Sequence, residues 1–191
     1  VPNAPAVIDV AAKFGVERYT GLTQAFFEAN DACGTDVQHK TSCHQLATGE
    51  WPGTMCMTEP QAGSDVGAVK TKATPQTDGS FLIDGSKIFI TSGEHRMADN
   101  IIHFVLARLP DSPPGVKGLS TFVVPKFLVN KEGSLGARNP VTCTAIEHKM
   151  GMHGSVTCSM QFDNARGWMV GAPNQGIQNM FVMMNLARIM V

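Results

Sequence analysis

The residues best placed to do chemistry lie in one short stretch, 55–65, which reads MCMTEPQAGSD. The spacing predicts a strand over 53–57 that runs into a loop of small residues. Thr58 offers a hydroxyl there, and Gly63, between Ala62 and Ser64, lets the backbone approach a ligand closely and aim N–H groups at an anion. Taken alone, the segment reads equally as a phosphate or cofactor loop and as a plain turn, since Ser64 and Asp65 are common turn formers.

Other candidates are weaker. Cys33, His39, Cys43 and His44 could be imagined as a zinc quartet, but structural zinc sites favour two well-spaced pairs, and adjacent Cys43 and His44 would struggle to face one tetrahedral ion. Ordinary helix residues are the better reading. His148 precedes the Gly-rich MGMHG at 150–154 and His153 lies within it; the segment reads best as a turn between strands. Glu147 beside His148 suggests an acid/base pair, yet neighbours on a strand point to opposite faces. There is no GxGxxG, GxxxxGK[ST], GxSxG or HExxH, so neither a Rossmann nor a P-loop phosphate site is supported.

The elements that must position these residues fall into three zones. Residues 6–48 lean helical: Val7, Val10, Ala11 and Phe14 share one helical face, Leu22, Ala25, Phe26 and Ala29 repeat the spacing, and Gly15, Gly21 and Gly34 punctuate them. Residues 53–171 read as strands. Phe81–Ile90 looks like two apolar runs joined by a hairpin turn at Asp84-Gly85, with another tight turn at Asp78-Gly79. Further β-type runs are Ile101–Leu109, Leu119–Phe127, Val141–Ile146, Val156–Phe162 and Trp168–Val170, separated by Gly/Pro/Asn/Asp clusters, notably 110–118 and 130–140. Many short strands between turn signals mean a closed or sandwiched antiparallel sheet. From about Asn174 the helical period returns, with Ile177, Met180, Met183, Met184 and Ala187 on one face, where the methionines serve as adaptable core. The expected fold class is therefore α+β: a helical N-terminal segment, an antiparallel β-barrel or sandwich, and the start of a C-terminal helix.

Composition narrows the function. The chain has 191 residues, 43% of them hydrophobic, with 15 basic and 16 acidic side chains and a formal net charge of −1. One domain, or one plus part of another, is expected. The near-zero charge and lack of a basic run give no footprint for nucleic acid or an anionic membrane, and no segment approaches the apolar length of a membrane span. The five cysteines are odd in number and form no CxxC, which favours a reduced, intracellular setting. The start, VPNAPAVIDV, does not read as a signal peptide. It lacks an initiator Met, and the chain stops inside an apolar helical pattern, so a piece of a longer polypeptide is expected.

Several motifs taken together carry a family resemblance. CMTEPQAGSDVGA at 56–68 resembles the N-terminal signature of the acyl-CoA dehydrogenase family. GTDVQHK at 34–40, GEW at 49–51, DGSKIFITSG at 84–93, MGMHGS and FDNARGWMVG follow in family order. The resemblance runs over about residues 30–191, and IEHKMGMHGS is similar to the 3-methylmercaptopropionyl-CoA dehydrogenase branch. It implies the end of an N-terminal helical domain (1–51), a middle β-domain (52–172) and the first helix of a C-terminal bundle (173–191).

The resemblance also implies an activity: FAD-dependent α,β-desaturation of an acyl-CoA thioester. Enzymes of this kind remove an α-proton with a carboxylate while the β-hydrogen leaves as hydride, and preorganised donors stabilise charge on the thioester oxygen. Carried over by position, Met55, Met57 and Thr58 would lie along the flavin ring, and Gly63 and Ser64 would approach the pyrophosphate. Phe89, where many members carry Trp, would cover the outer flavin face, with Ile90 following and the Thr91 hydroxyl near the flavin N5. Ser64, Asn185 and Arg188 would touch the acyl-CoA. The base is expected beyond residue 191, because the position where some members place it is Ala187, so this chain alone is expected to be inactive. Expected partners are an electron-transfer flavoprotein and further copies of the chain through the bundle, with no nucleic acid or membrane, in the bacterial cytoplasm or the mitochondrial matrix. Alternatives are an acyl-CoA oxidase, a nitroalkane-oxidising relative, or a non-catalytic β-domain module.

Overall fold

Two interleaved patterns of burial build the molecule, one facing a barrel interior and one facing a layer of helices. The structure, a computed structural model, describes residues 17–34, 44–130 and 132–190; Val7, Val10, Ala11 and Phe14 lie outside them. Helix α1 spans Glu17–Cys33 and α2 spans His44–Thr48. The strands are β1 (Gly53–Cys56), β2 (Lys72–Pro75), β3 (Phe81–Thr91), β4 (Ile102–Arg108), β5 (Leu119–Pro125), β6 (Phe127–Val129), β7 (Leu135–Arg138), β8 (Val141–Ile146) and β9 (Thr157–Val170), and helix α3 (Gly176–Met190) closes the order.

Strands β4, β2, β3, β9 and β5 pair in sequence, and β5 pairs back to β4. This closes the sheet into a barrel. β1 adds to β4 and β8 to β9. Most pairings are antiparallel, as the strand pattern predicts, but β1 and β2 both run parallel to β4. β6 and β7 form a separate two-stranded sheet, so part of the segment read as a loop at 130–140 is a strand.

β4 shows how the layers share one strand. Ile102, Phe104 and Leu106 belong to the cluster that includes Ala25, Phe26 and Ala29 of α1 and Met180 and Met183 of α3. Val105 and Ala107 belong to the barrel-interior cluster with Ile83, Phe122, Met160 and Phe162. Both faces are covered, so the strand reads as a nearly unbroken apolar run. The Phe26 ring stacks on Phe104 at 5.1 Å, and Gly53 makes room for it, since a Cβ there would lie 2.5 Å from the ring. Truncating such a buried ring to alanine costs about 3–5 kcal/mol.

Three local expectations are corrected. Asp84-Gly85 is not a hairpin turn: β3 is continuous, and the register with β9 shifts between Ile83 and Gly85. Gly85 is needed because its φ is 152° and a Cβ would lie 2.5 Å from Thr71 Oγ1. The turn before β3 is at Asp78-Gly79, where Asp78 accepts from Ser80 N and Gly79 has φ 80°. Likewise Asp163-Asn164 does not separate two strands. It is a bulge within β9, with Asn164 at φ 53°, where the strand's partner on one edge changes from β8 to β5. Gly21 lies inside α1 rather than at a boundary.

Candidate functional site

The loop after β1 folds back on itself and is then pinned to β3. Glu59 and Ala62 exchange backbone hydrogen bonds at 3.0 Å, which makes the Pro60-Gln61 turn tight. Asp65 accepts from Gly67 N at 2.9 Å and caps the single 3-10 turn Val66–Ala68. The Arg108 guanidinium donates to the carbonyls of Gly67, Val69, Pro113 and Gly115 and holds the end of the loop. Against β3, Ile88 N donates to Thr58 O at 2.9 Å.

The strongest anchor is a buried ion pair that sequence reasoning missed. Lys87 Nζ lies 2.8 Å from Glu59 Oε1, the two side chains being 0% and 3% exposed. Glu59 also accepts from Gln61 Nε2, Lys70 N, Thr71 N and Thr71 Oγ1. Burial alone would raise the Glu59 carboxyl; the Lys87 ammonium and these donors outweigh it and hold it down at about 2. Burial pushes Lys87 below the usual ammonium range, against the opposing pull of Glu59. A signal for the pair did exist: Lys87 falls in step with Ile83 and Gly85 on the period of a strand, which places a cation on the inward face.

Immediately after Lys87, β3 bulges. Lys87 pairs with Met160 and Ile90 with Cys158, so Ile88 and Phe89 together face Ser159 alone. Phe89 takes φ 60° and is 59% exposed. A left-handed aromatic residue is a backbone outlier of the kind that clusters at functional sites. Its neighbours point elsewhere: Ile90 is buried in the barrel interior, so only its backbone faces the bulge, and Thr91 ends the strand half-buried.

Among the positions expected to act, the structure brings together Thr58, Gly63 and the Ile88–Thr91 stretch. Met55 and Met57 are half-buried against the helix-facing core, in the cluster that also holds Met184 and Ala187. Gly63 and Ser64 are exposed. Asn185 and Arg188 stand on the exposed face of α3, and no hydrogen bond or ion pair among the described residues joins them to the loop. Cys33, His39 and Cys43 lie outside the residues whose side chains are described, while His44 is exposed. His148 and His153 are exposed in the turn between β8 and β9. Burial pushes the Cys56 thiol up to about 12 and Cys158 up to about 11, so neither is poised as a thiolate nucleophile.

The fit to a flavin can be tested on the chain itself. The hydroxyls of Thr58, Ser64 and Thr91 have no partner among the described residues and are free to bond a ligand. At Gly63 a Cβ would meet only Thr58 Cγ2, at an ordinary 3.6 Å, so the glycine leaves open space outside the loop. An exposed aromatic ring, unsatisfied hydroxyls and a close-approach glycine suit a planar, polar-edged cofactor with a phosphate arm.

Residues 54–165 match the family described as acyl-CoA dehydrogenase, middle domain. The chain is 50% identical over 167 residues to a 3-methylmercaptopropionyl-CoA dehydrogenase of Ruegeria pomeroyi, which covers 87% of this chain and 28% of that protein. It is 54% identical over 154 residues to a butyryl-CoA dehydrogenase of Syntrophomonas wolfei, covering 76% of this chain and 25% of that protein. Its fold matches the butyryl-CoA dehydrogenase structure from Megasphaera elsdenii with a TM-score of 0.72 at 27% identity, over 91% of this chain and 42% of that one. No helix among the described residues is long and apolar enough to cross a membrane.

Proposed function

This chain belongs to the acyl-CoA dehydrogenase family, and from that premise we propose that the whole protein desaturates an acyl-CoA thioester between its α and β carbons, with FAD as cofactor. The chain contributes the barrel wall against which the flavin rests. The observation that carries the reading is the pinning of the 55–65 loop, through Thr58 O and Ile88 N, to the strand whose next residue is the exposed, left-handed Phe89.

When bound, FAD supplies the two-electron acceptor for the β-hydrogen. Thr58 and Thr91 would donate hydrogen bonds to its polar edge, and Gly63 and Ser64 would lie along its pyrophosphate. Phe89 would cover the outer face and keep water from it; phenylalanine does this without the N–H that tryptophan would add. Arg188, a fixed cation on α3, would help bind the CoA moiety, with Asn185 and Ser64 beside it.

No carboxylate of this chain is assigned as base. Glu59 is committed to five donors, Glu94 is held by Lys126 and Arg138, and Ala187 cannot take a proton. The base is proposed to lie beyond residue 191, as the family resemblance implies. An electron-transfer flavoprotein is the proposed electron acceptor, and residues 1–51, 52–172 and 173–191 are the proposed domain pieces, with self-association through the bundle.

The test is the visible spectrum of the full-length protein, alone and mixed with a panel of acyl-CoAs. Flavin bands that bleach with one thioester are the expected result and name the substrate class. Rapid reoxidation of the reduced protein by oxygen would point to an oxidase instead. A colourless protein that FAD does not reconstitute would overturn the reading in favour of a non-catalytic module.

A further inference from the structure

Lys87 and Glu59 sit where the two proposed walls of the cofactor site meet, and most of what they touch is backbone. Lys87 Nζ donates to Met57 O at 3.0 Å as well as to Glu59. One residue on, Ile88 N donates to Thr58 O. Glu59 accepts from Lys70 N at 2.8 Å and Thr71 N at 3.0 Å, which returns the far end of the loop to the same point. One ammonium and one carboxylate thus hold residues 57–59, 70–71 and 87–88 in a single arrangement.

Stability is a poor explanation for such a pair, because removing two charges from water can cost more than their attraction returns. An apolar pair of similar volume could fill the wall, but could not donate to the Met57 carbonyl or accept from the Lys70 and Thr71 amides. The strained Phe89 backbone also persists only where its surroundings over-determine it, and the Lys87 and Ile88 bonds immediately precede it.

We propose that Lys87 and Glu59 are positioning residues that set the height of Thr58 against the Phe89 bulge, and so fix how the flavin is seated. The inference rests on the functional reading above. The pair acts through Met57–Thr58 on one side and Ile88–Phe89 on the other.

The experiment uses the full-length protein carrying Lys87→Met, which keeps the aliphatic stem and leaves Glu59 its Gln61, Lys70 and Thr71 donors. Amide exchange at Ile88 should speed up and the absorption bands of the bound flavin should shift. The kcat should fall about 100-fold, the scale expected for a displacement of about 1 Å, while KM for the acyl-CoA changes little. A variant that merely melts earlier, with wild-type flavin bands, Ile88 exchange and kcat, overturns the proposal. Should Lys87→Met not accumulate folded, Thr71→Val keeps both charges and removes one donor to Glu59. A smaller band shift in the same direction is expected from it, and a wild-type spectrum overturns the proposal equally. A wild-type protein that holds no flavin overturns the functional reading itself and the positioning role with it, whereas a flavin-bearing wild type with a spectrally identical variant overturns the positioning role alone.

Discussion

His103 Nδ1 and Thr54 Oγ1 lie 2.7 Å apart, joining β4 to β1 at directly paired positions of a parallel ladder. The imidazole is fully buried and packs edge-on against Phe162, with centroids 5.8 Å apart. Its Nε2 has no hydrogen-bond partner among the described residues. Desolvation holds the ring neutral, pushing its pKa from 6.5 down to about 3.

That shift sets a direction for pH dependence. Between 6.5 and about 3 the unfolded chain binds a proton at His103 that the folded chain refuses, so stability is complete above this window and declines as pH falls through it. Urea unfolding from pH about 7 down to about 5 should show the decline, and His103→Gln, which still hydrogen-bonds but cannot titrate, should flatten it. The same slope in that variant would show that other groups carry it. Glu59 enters only below 4.5, its depressed carboxyl giving stability that is lost towards about 2, so above 4.5 the His103 contribution titrates without it.

Gly85→Ala should destabilise the protein by about 1–3 kcal/mol, the scale of overpacking, because its Cβ would press on Thr71 Oγ1 at 2.5 Å and on Thr71 Cα at 2.9 Å. Gly79→Ala, with φ 80° in open space, should cost only the backbone term, about 1–2 kcal/mol. Thermal melts of the two variants give the comparison. Equal shifts would mean that Thr71 gives way and the close approach at the bulge carries no weight.

Gly63→Val tests the loop without disturbing the chain. A Cβ there meets Thr58 Cγ2 at 3.6 Å and nothing closer, so circular dichroism and melting temperature of the variant without flavin should match the wild type. Flavin content of the full-length variant should fall to background, since the side chain enters the space proposed for the pyrophosphate. Full flavin content would remove Gly63 from the site.

Asn179 ties α3 to the barrel, its Nδ2 donating to Thr121 Oγ1 and Val170 O, both at 3.0 Å. Asn179→Ala should cost about 1–3 kcal/mol, because it leaves a buried acceptor with fewer donors. Hydrogen exchange should localise the loss, with the α3 amides exchanging faster while those of β3 and β9 do not change. Uniform acceleration would mean that the helix and barrel open as one unit.

Much of the barrel was legible as strand-length apolar runs. β4, β5 and β8 fall where their patterns predict, and Leu22, Ala25, Phe26 and Ala29 form one packed face of α1. These features depend on side-chain period alone, and period is a local property. The motif 56–68 likewise identified its loop, because a turn of small residues after a strand is written in consecutive positions.

Where tertiary structure decided, the same local chemistry had two outcomes. Asp78-Gly79 and Asp84-Gly85 are the same dipeptide, yet the first turns the chain and the second runs on through β3, opposite the bulge in β9. What separates them is Thr71, which comes close enough to Gly85 that only glycine fits, and the long partner β9, which keeps the strand paired on both sides of the shift. The pairing of Glu59 with Lys87 spans 28 residues, and the exposure of Phe89 beside the buried Ile90 follows from a register count against Ser159. Barrel closure brings these partners together, so residue types and spacing along one strand could mark Lys87 as inward-facing but could not name the carboxylate waiting for it.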